Sequence, residues 1–333
     1  MVDHPVAWQE RSMAATIRDV ARVAQVSVAS VSRALNGAAS VHPETRARIA
    51  AAAASLGYVP HAGARSLSTA RSHAIGVVLP DLHGEFFSEL VRGIDREASA
   101  RGYHLLLSNI HADADLAAQA IRAMRGLVDA LVVMAPQIDT PALAAAIPER
   151  PPTVLINSRA LPGRTGLSVD NHGGAAAMTR HLLESDRRRI VHIAGAAGNI
   201  DAAERLAGYR AALAGAPERV VAGDFQEESG AEAIRAFLAE GAEFDAVFAA
   251  NDQMAFGALT ALREADIAVP GQVAVAGFDD VPLARHLGLT TIRIDIAQMG
   301  ARAAALVLDE AQGAAAAPAD LRIPATLVAR TTT

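Results

Sequence analysis

The strongest constraint in this chain is a rhythm. Seven short apolar runs, at 74–80, 103–108, 130–135, 153–157, 190–194, 246–250 and 273–278, alternate with segments of helical period at 86–100, 116–125, 173–183, 202–213, 229–240 and 254–264. Strands that are apolar along their whole length must be covered on both faces, and intervening helices supply that cover when the strands run parallel. Some 260 residues follow Arg71, more than one such sheet needs. The expectation is therefore an α/β body of two parallel-sheet lobes. Open parallel sheets bind ligands beyond the carboxyl ends of their strands. The residues to inspect are thus the Asp81–Phe87 run, Asn109, Asn157-Ser158-Arg159, Arg205, Asp224-Phe225, Asn251-Asp252 and Asp279-Asp280. Amides, carboxylates, an arginine and rings converging on one cleft suit a polyhydroxylated ligand.

The first seventy residues follow a different pattern. Residues 1–15 show no periodicity and read as a tail. Thr16 and Asp19 make an N-cap with an acid at N3, and Ile17, Val20, Ala21 and Ala24 follow at helical spacing. After Gln25-Val26, Ser27 caps a second helix with Val31, Ala34 and Leu35 inward, which Asn36-Gly37 ends. Pro43 opens a third helix at N1. Two short helices on a tight turn, closed by a third, form a helix-turn-helix, whose second helix can enter the major groove of DNA. Its outward positions are Val28, Ala29, Ser32 and Arg33. Arg33 can bond guanine O6 and N7, whereas Val28 and Ala29 can only pack. A small helical bundle with solvated arginines is the plain alternative.

Charge sharpens this division. All 30 basic residues are arginine; residues 1–67 balance at +3 and the remainder at −9, for a net −6. A basic head on an acidic body points to nucleic acid at one end. Without lysine there is no Schiff-base chemistry, and without cysteine there is no disulfide, thiol nucleophile or thiolate metal site. No nucleotide, metalloprotease or hydrolase motif occurs, so no cofactor, metal or catalytic residue is expected. No apolar run approaches a membrane span, and the N-terminus lacks a charged-then-apolar leader pattern. The expectation is a cytoplasmic protein with no membrane partner.

The run from Thr16 to Asn36, TIRDVARVAQVSVASVSRALN, resembles the headpiece of LacI/GalR-family transcriptional regulators. Val41–Arg46 and Leu56–Pro60 continue the likeness, and Ala64–Leu67 resembles the family's hinge helix. In the body, Ala249–Gly257, Val275–Asp280 and Leu289–Ile292 resemble the sugar-binding-protein-like core of the same family. The resemblance implies DNA contacts from Thr16, Ser27, Val28, Ala29, Ser32, Arg33, Asn36 and Arg65, with Leu67 wedging a base step from the minor groove. It implies effector contacts from Asn157, Arg205, Phe225, Asn251 and Asp279, with Phe86 and Phe87 at the cleft mouth. Plainer roles stand beside these: Phe86 and Phe87 as core, Asn251 as a helix cap, Asp279 and Asp280 as turn residues, and Leu67 as a linker. Ser158, Ile294 and Glu85 depart from the family pattern, and Gly63 weakens the hinge as a helix.

The organisation expected is a tail over 1–15, a helix-turn-helix domain over 16–60, a hinge over 61–72 and a two-lobed, periplasmic-binding-protein-like (type I) body over 73–333. The function expected is a repressor of carbohydrate-utilisation genes, a homodimer on a near-palindromic operator, switched by a sugar or nucleoside-like effector. The end of the chain shows no heptad helix, so a dimer is expected over a tetramer. The alternatives are a solute-binding protein, or a sugar-modifying enzyme using Asp279 and Asp280 as paired acids.

Overall fold

The computed structural model describes residues 15–35, 40–58, 71–314 and 318–333. The chain divides into two compact units, residues 1–72 and 73–333.

In the first unit, helices α1 (Ile17–Val23), α2 (Val28–Leu35) and α3 (Pro43–Ser55) enclose Val20, Ala24, Val31, Ala34, Ile49 and Ala53. Thr16 and Asp19 complete a capping box: the Thr16 hydroxyl accepts from the Asp19 N–H, and the Asp19 carboxylate accepts from the Thr16 N–H at 3.0 Å. Hydrogen bonds from Thr16 and Arg22 hold the Asp19 carboxyl at a pKa of about 2. The Ser27 hydroxyl accepts from the Ser30 N–H at 3.1 Å, fixing the start of α2. Asn36, Gly63, Arg65 and Leu67 lie outside the described residues.

The second unit holds two lobes. The first is a six-stranded parallel sheet in the order β11-β5-β4-β3-β1-β2, built from β1 (Ala74–Leu79), β2 (His104–Asn109), β3 (Ala130–Met134), β4 (Thr153–Ile156), β5 (Thr165–Val169) and β11 (Asp320–Ile323). The second is a four-stranded parallel sheet, β7-β6-β8-β9, of β6 (Ile190–Ile193), β7 (Arg219–Val221), β8 (Ala246–Ala249) and β9 (Ala274–Ala276). An antiparallel pair, β10 (Thr291–Arg293) with β12 (Thr326–Val328), accompanies it. The chain crosses between lobes three times: from β5 into helix Asn171–Glu184, from β10 into helix Ile296–Ala311, and from β11 to β12. Helix Ile296–Ala311 packs so closely on helix Glu85–Ala100 that a Cβ at Gly93 would lie 1.9 Å from the Ala297 carbonyl.

The seven apolar runs read from the sequence correspond to β1–β4, β6, β8 and β9. Strands β5, β7, β10, β11 and β12 and helices Thr140–Ala146, Pro282–His286 and Ile296–Ala311 were not anticipated. Most of those strands are short, and β7 and β11 lie at sheet edges, where partial exposure breaks the apolar run. Among the described residues, no helix is long and apolar enough to cross a membrane.

Candidate functional site

The first unit presents Val28, Ala29 and Arg33 on the exposed face of α2, with Ser32 half-buried beside them. The Arg33 Nε–H donates to the Ala29 carbonyl at 3.3 Å, which lays the guanidinium along the helix surface. Thr16 and Ser27 are exposed at the starts of α1 and α2, each also acting as a cap.

Between the two lobes of the second unit lies a cavity of about 390 Å³. One wall carries Asp81, Phe86, Phe87 and Gln137, which follow β1 and β3; the other carries Asp201, Arg205, Phe225, Asn251 and Asp279. Phe86 and Phe87 meet edge to face, with centroids 5.3 Å apart. The Phe225 ring lies against Gly195, where a Cβ would stand 2.2 Å from it, and Phe225 itself has φ +75°. Asn251 secures that loop. Its Oδ1 accepts from the Met254 N–H at 3.0 Å, capping helix Asp252–Glu264, and its Nδ2 donates to the Phe225 carbonyl at 2.9 Å. Asn251 is therefore both a helix cap and part of the cavity wall.

Arg205 is the hub of the cavity floor. It sits inside helix Ile200–Leu213 and only 3% of it is exposed. Its Nε donates to Asn171 Oδ1 at 2.8 Å, its Nη1 to the Ala250 carbonyl at 2.5 Å, and its Nη2 lies 3.4 Å from Asp279 Oδ1. The guanidinium carbon stands 3.8 Å from the Phe278 ring centroid. Arg205 therefore has partners within its own chain as well as a place on the cavity wall.

The acids around Arg205 outnumber it. Asp201 accepts from Asn171 Nδ2 at 2.8 Å, and burial pushes its pKa up to about 6 against the opposing pull of Arg205. Asp279 is raised too, first by burial and then by the charge of Asp201, with Arg205 opposing. Behind them Asp252 accepts from Thr291 Oγ1 at 2.6 Å and the Val281 N–H at 3.0 Å, and burial and Asp279 raise it well above the usual carboxylate range.

Six of the seven residues expected at the effector site line the cavity. Asn157 does not; it is buried, with φ +42°, beside Asp201, whose proton affinity it helps to lower. The departures from the family pattern also find places. Ser158 accepts from the Ala135 N–H at 2.7 Å and donates to the Ile156 carbonyl at 2.9 Å, and Ile294 is core. Glu85 reaches across the lobes to accept from the Leu283 N–H at 2.9 Å, and the Gln226 Nε2 donates to Asp81 Oδ2 at 3.3 Å. The sequence reading missed Gln137, Asp201, Gln226 and Gln253 on the cavity wall. Gln137 and Gln226 could have been found as residues just beyond a strand or beside Phe225; Asp201 carries no such signal. His111 lines the cavity and Asp113 caps a helix, and no metal-binding group of acids and histidines occurs among the described residues.

Comparison with known proteins agrees on both units. Residues 16–61 match the model for bacterial regulatory proteins, lacI family, and residues 72–331 match that for periplasmic binding proteins and the sugar binding domain of LacI family. The chain is 39% identical to the HTH-type transcriptional regulator GalS of Salmonella typhimurium over 308 residues, covering 90% of each. It is 36% identical to the ribose operon repressor of Escherichia coli over 291 residues, covering 84% of this chain and 87% of that one. A crystal structure of the lac repressor dimer bound to operator and an anti-inducer superposes with a TM-score of 0.86 at 28% identity, covering 96% of this chain and 99% of that one.

Proposed function

The chain belongs to the lacI family of bacterial regulatory proteins, and from that premise we propose how its residues divide the work of an effector-responsive repressor. It is a DNA-binding transcriptional regulator rather than an enzyme. Its partners are operator DNA, a sugar-like effector and a second copy of itself. The observation that carries the assignment is the union, in one chain, of a capped three-helix unit displaying Arg33 and a two-lobed cleft centred on Arg205.

In this reading residues 16–60 are the DNA-binding domain, 61–72 the hinge and 73–333 the effector body, and the protein acts in the cytoplasm. Val28, Ala29, Ser32 and Arg33 face the base edges; Thr16, Ser27, Asn36 and Arg65 also contact the DNA; Leu67 is the minor-groove wedge. Phe86, Phe87, Arg205, Phe225, Asn251 and Asp279 receive the effector, with Asn157 behind them. The dimer buries the exposed leucines of edge strand β2, Leu106 and Leu107, which would otherwise leave an apolar sheet edge in water.

The switch is a shift between two lobe arrangements. The three crossings act as hinges, while Glu85–Leu283 and Gln226–Asp81 are contacts that span the lobes. An effector alters operator affinity only as far as it binds one arrangement better than the other, and operator alters effector affinity by the same factor. The test is a mobility-shift titration of the protein on DNA from its own upstream region, at one fixed salt concentration, with and without a panel of free sugars. Specific binding that a sugar changes supports the reading. Binding with no preference for that DNA, or no response to any sugar, refutes it.

A further inference from the structure

We infer that the cleft takes only effectors without an anionic group, admitting a free sugar and refusing its phosphate ester or uronate. The inference rests on the cleft being the effector site and adds the chemical class of the effector. It begins with the distribution of donors and acceptors. Among the described residues that line the cavity, Arg205 is the only arginine, and the chain has no lysine. Its guanidinium is anchored on Asn171 and the Ala250 carbonyl and faces Asp279, 3.4 Å from Nη2, so its charge is already matched by a carboxylate of the same wall. Among the described residues of the wall, the one arginine therefore already has its counter-ion.

An unused atom of the opposite kind lines the same cavity: Gln137 Oε1, buried on its wall, is an oxygen that accepts and has no hydrogen-bond partner among the described residues. Such an acceptor is complemented by a ligand that brings donors. Sugar hydroxyls donate; phosphate dianions and carboxylates only accept.

Charge points the same way. Asp81, Asp201, Asp224 and Asp279 line the cavity against the single guanidinium. Burial is the main cause of the raised proton affinities of Asp201 and Asp279, and Arg205 opposes it without cancelling it. A further anion would sit among like charges in a desolvated site. His83 and His111 also line the cavity, so the comparison belongs at pH 8, above the ordinary titration range of imidazoles.

The experiment is calorimetric titration of the full-length protein at pH 8 with matched sets: glucose, galactose and ribose, each against its terminal phosphate ester, and the two hexoses also against their uronates. The expected result is that at least one free sugar binds and its charged counterparts bind ~100-fold more weakly or not at all. A phosphate ester or uronate binding as tightly as its free sugar overturns the inference and leaves the effector cleft standing. Failure of every compound to bind overturns the reading of the cleft and this inference with it. The double variant Asp81→Asn/Asp224→Asn separates charge from shape. It should recover about tenfold in affinity for the phosphate ester while changing the free sugar less, because two like charges are removed from the wall. An unchanged ratio between the two ligands shows that charge is not what excludes the anion.

Discussion

Replacing Arg205 by methionine keeps an unbranched apolar stem and removes the charge, leaving Asp201 and Asp279 buried with no counter-ion. Removing one partner of a buried ion pair costs about 3–5 kcal/mol. Arg205 and Asp279 are both almost fully buried, so solvent does little to soften that figure. Asn171 Oδ1 and the Ala250 carbonyl also lose their donor, which keeps the loss away from the low end. For a unit of this size the change corresponds to a melting temperature lowered by on the order of 10 °C. The sign with pH follows from the acids. Arg205 lowers the proton affinity of both, so without it their pKa values rise further and the native variant binds more protons than the wild type. The loss should be greatest at pH 8 and shrink toward pH 5.5, where protonation relieves the uncompensated charge. Calorimetric melts at the two pH values test this, and Arg205→Met/Asp279→Asn should recover more than half of the loss. A single variant that melts with the wild type at pH 8, or a deficit that does not shrink at pH 5.5, would refute the electrostatic account. Well below its melting temperature the single variant should still bind operator and fail to respond to effector.

Effector affinity should rise with pH from about 6 to about 7, because sugar hydroxyls bond the ionised forms of Asp201 and Asp279; titrations in buffers of different ionisation enthalpy should show proton release, and a flat profile would contradict it. Gly93→Ala places a methyl on the Ala297 carbonyl and should destabilise the body by about 1–3 kcal/mol, read as a lower melting temperature with operator preference unchanged. Arg33→Ala should weaken operator binding by about 1–3 kcal/mol and relax preference at one base pair, seen by mobility shift on single-substitution operators.

What was legible in the sequence is what local pattern controls. The continuous apolar runs of β1, β3 and β8 announce themselves because both faces are buried, and the Thr16 and Ser27 caps mark helix starts within a few residues. Helix Ile296–Ala311 was missed although Asp295 caps it and Ile296, Met299, Gly300, Ala303, Ala304 and Val307 repeat at helical spacing. It follows β10, a strand of only three residues, so no long apolar run announces it. The site was legible as a set of residue types, since strand exits collect polar side chains. Its wiring was not. Arg205 meets partners 34, 45 and 74 positions away, and only the folded sheet brings Asn171, Ala250 and Asp279 around it. Asp201 looks like an ordinary acid in the first turn of a helix until that assembly exists.

The pairing of β11 with β5 ties the first lobe to the far end of the chain. During synthesis the headpiece needs only its own residues, and the strands of the second sheet are complete once β9 has emerged. The first lobe must wait, holding the face of helix Glu85–Ala100 that carries Leu90 and Ile94 uncovered until helix Ile296–Ala311 arrives. Contacts of such long sequence separation form slowly and leave apolar surface open in the interval. A late nonsense mutation would therefore strip the edge strand or covering helix from the lobe that was translated first, and a chain released at residue 290 would carry the strands of a finished second sheet beside an unfinished first one.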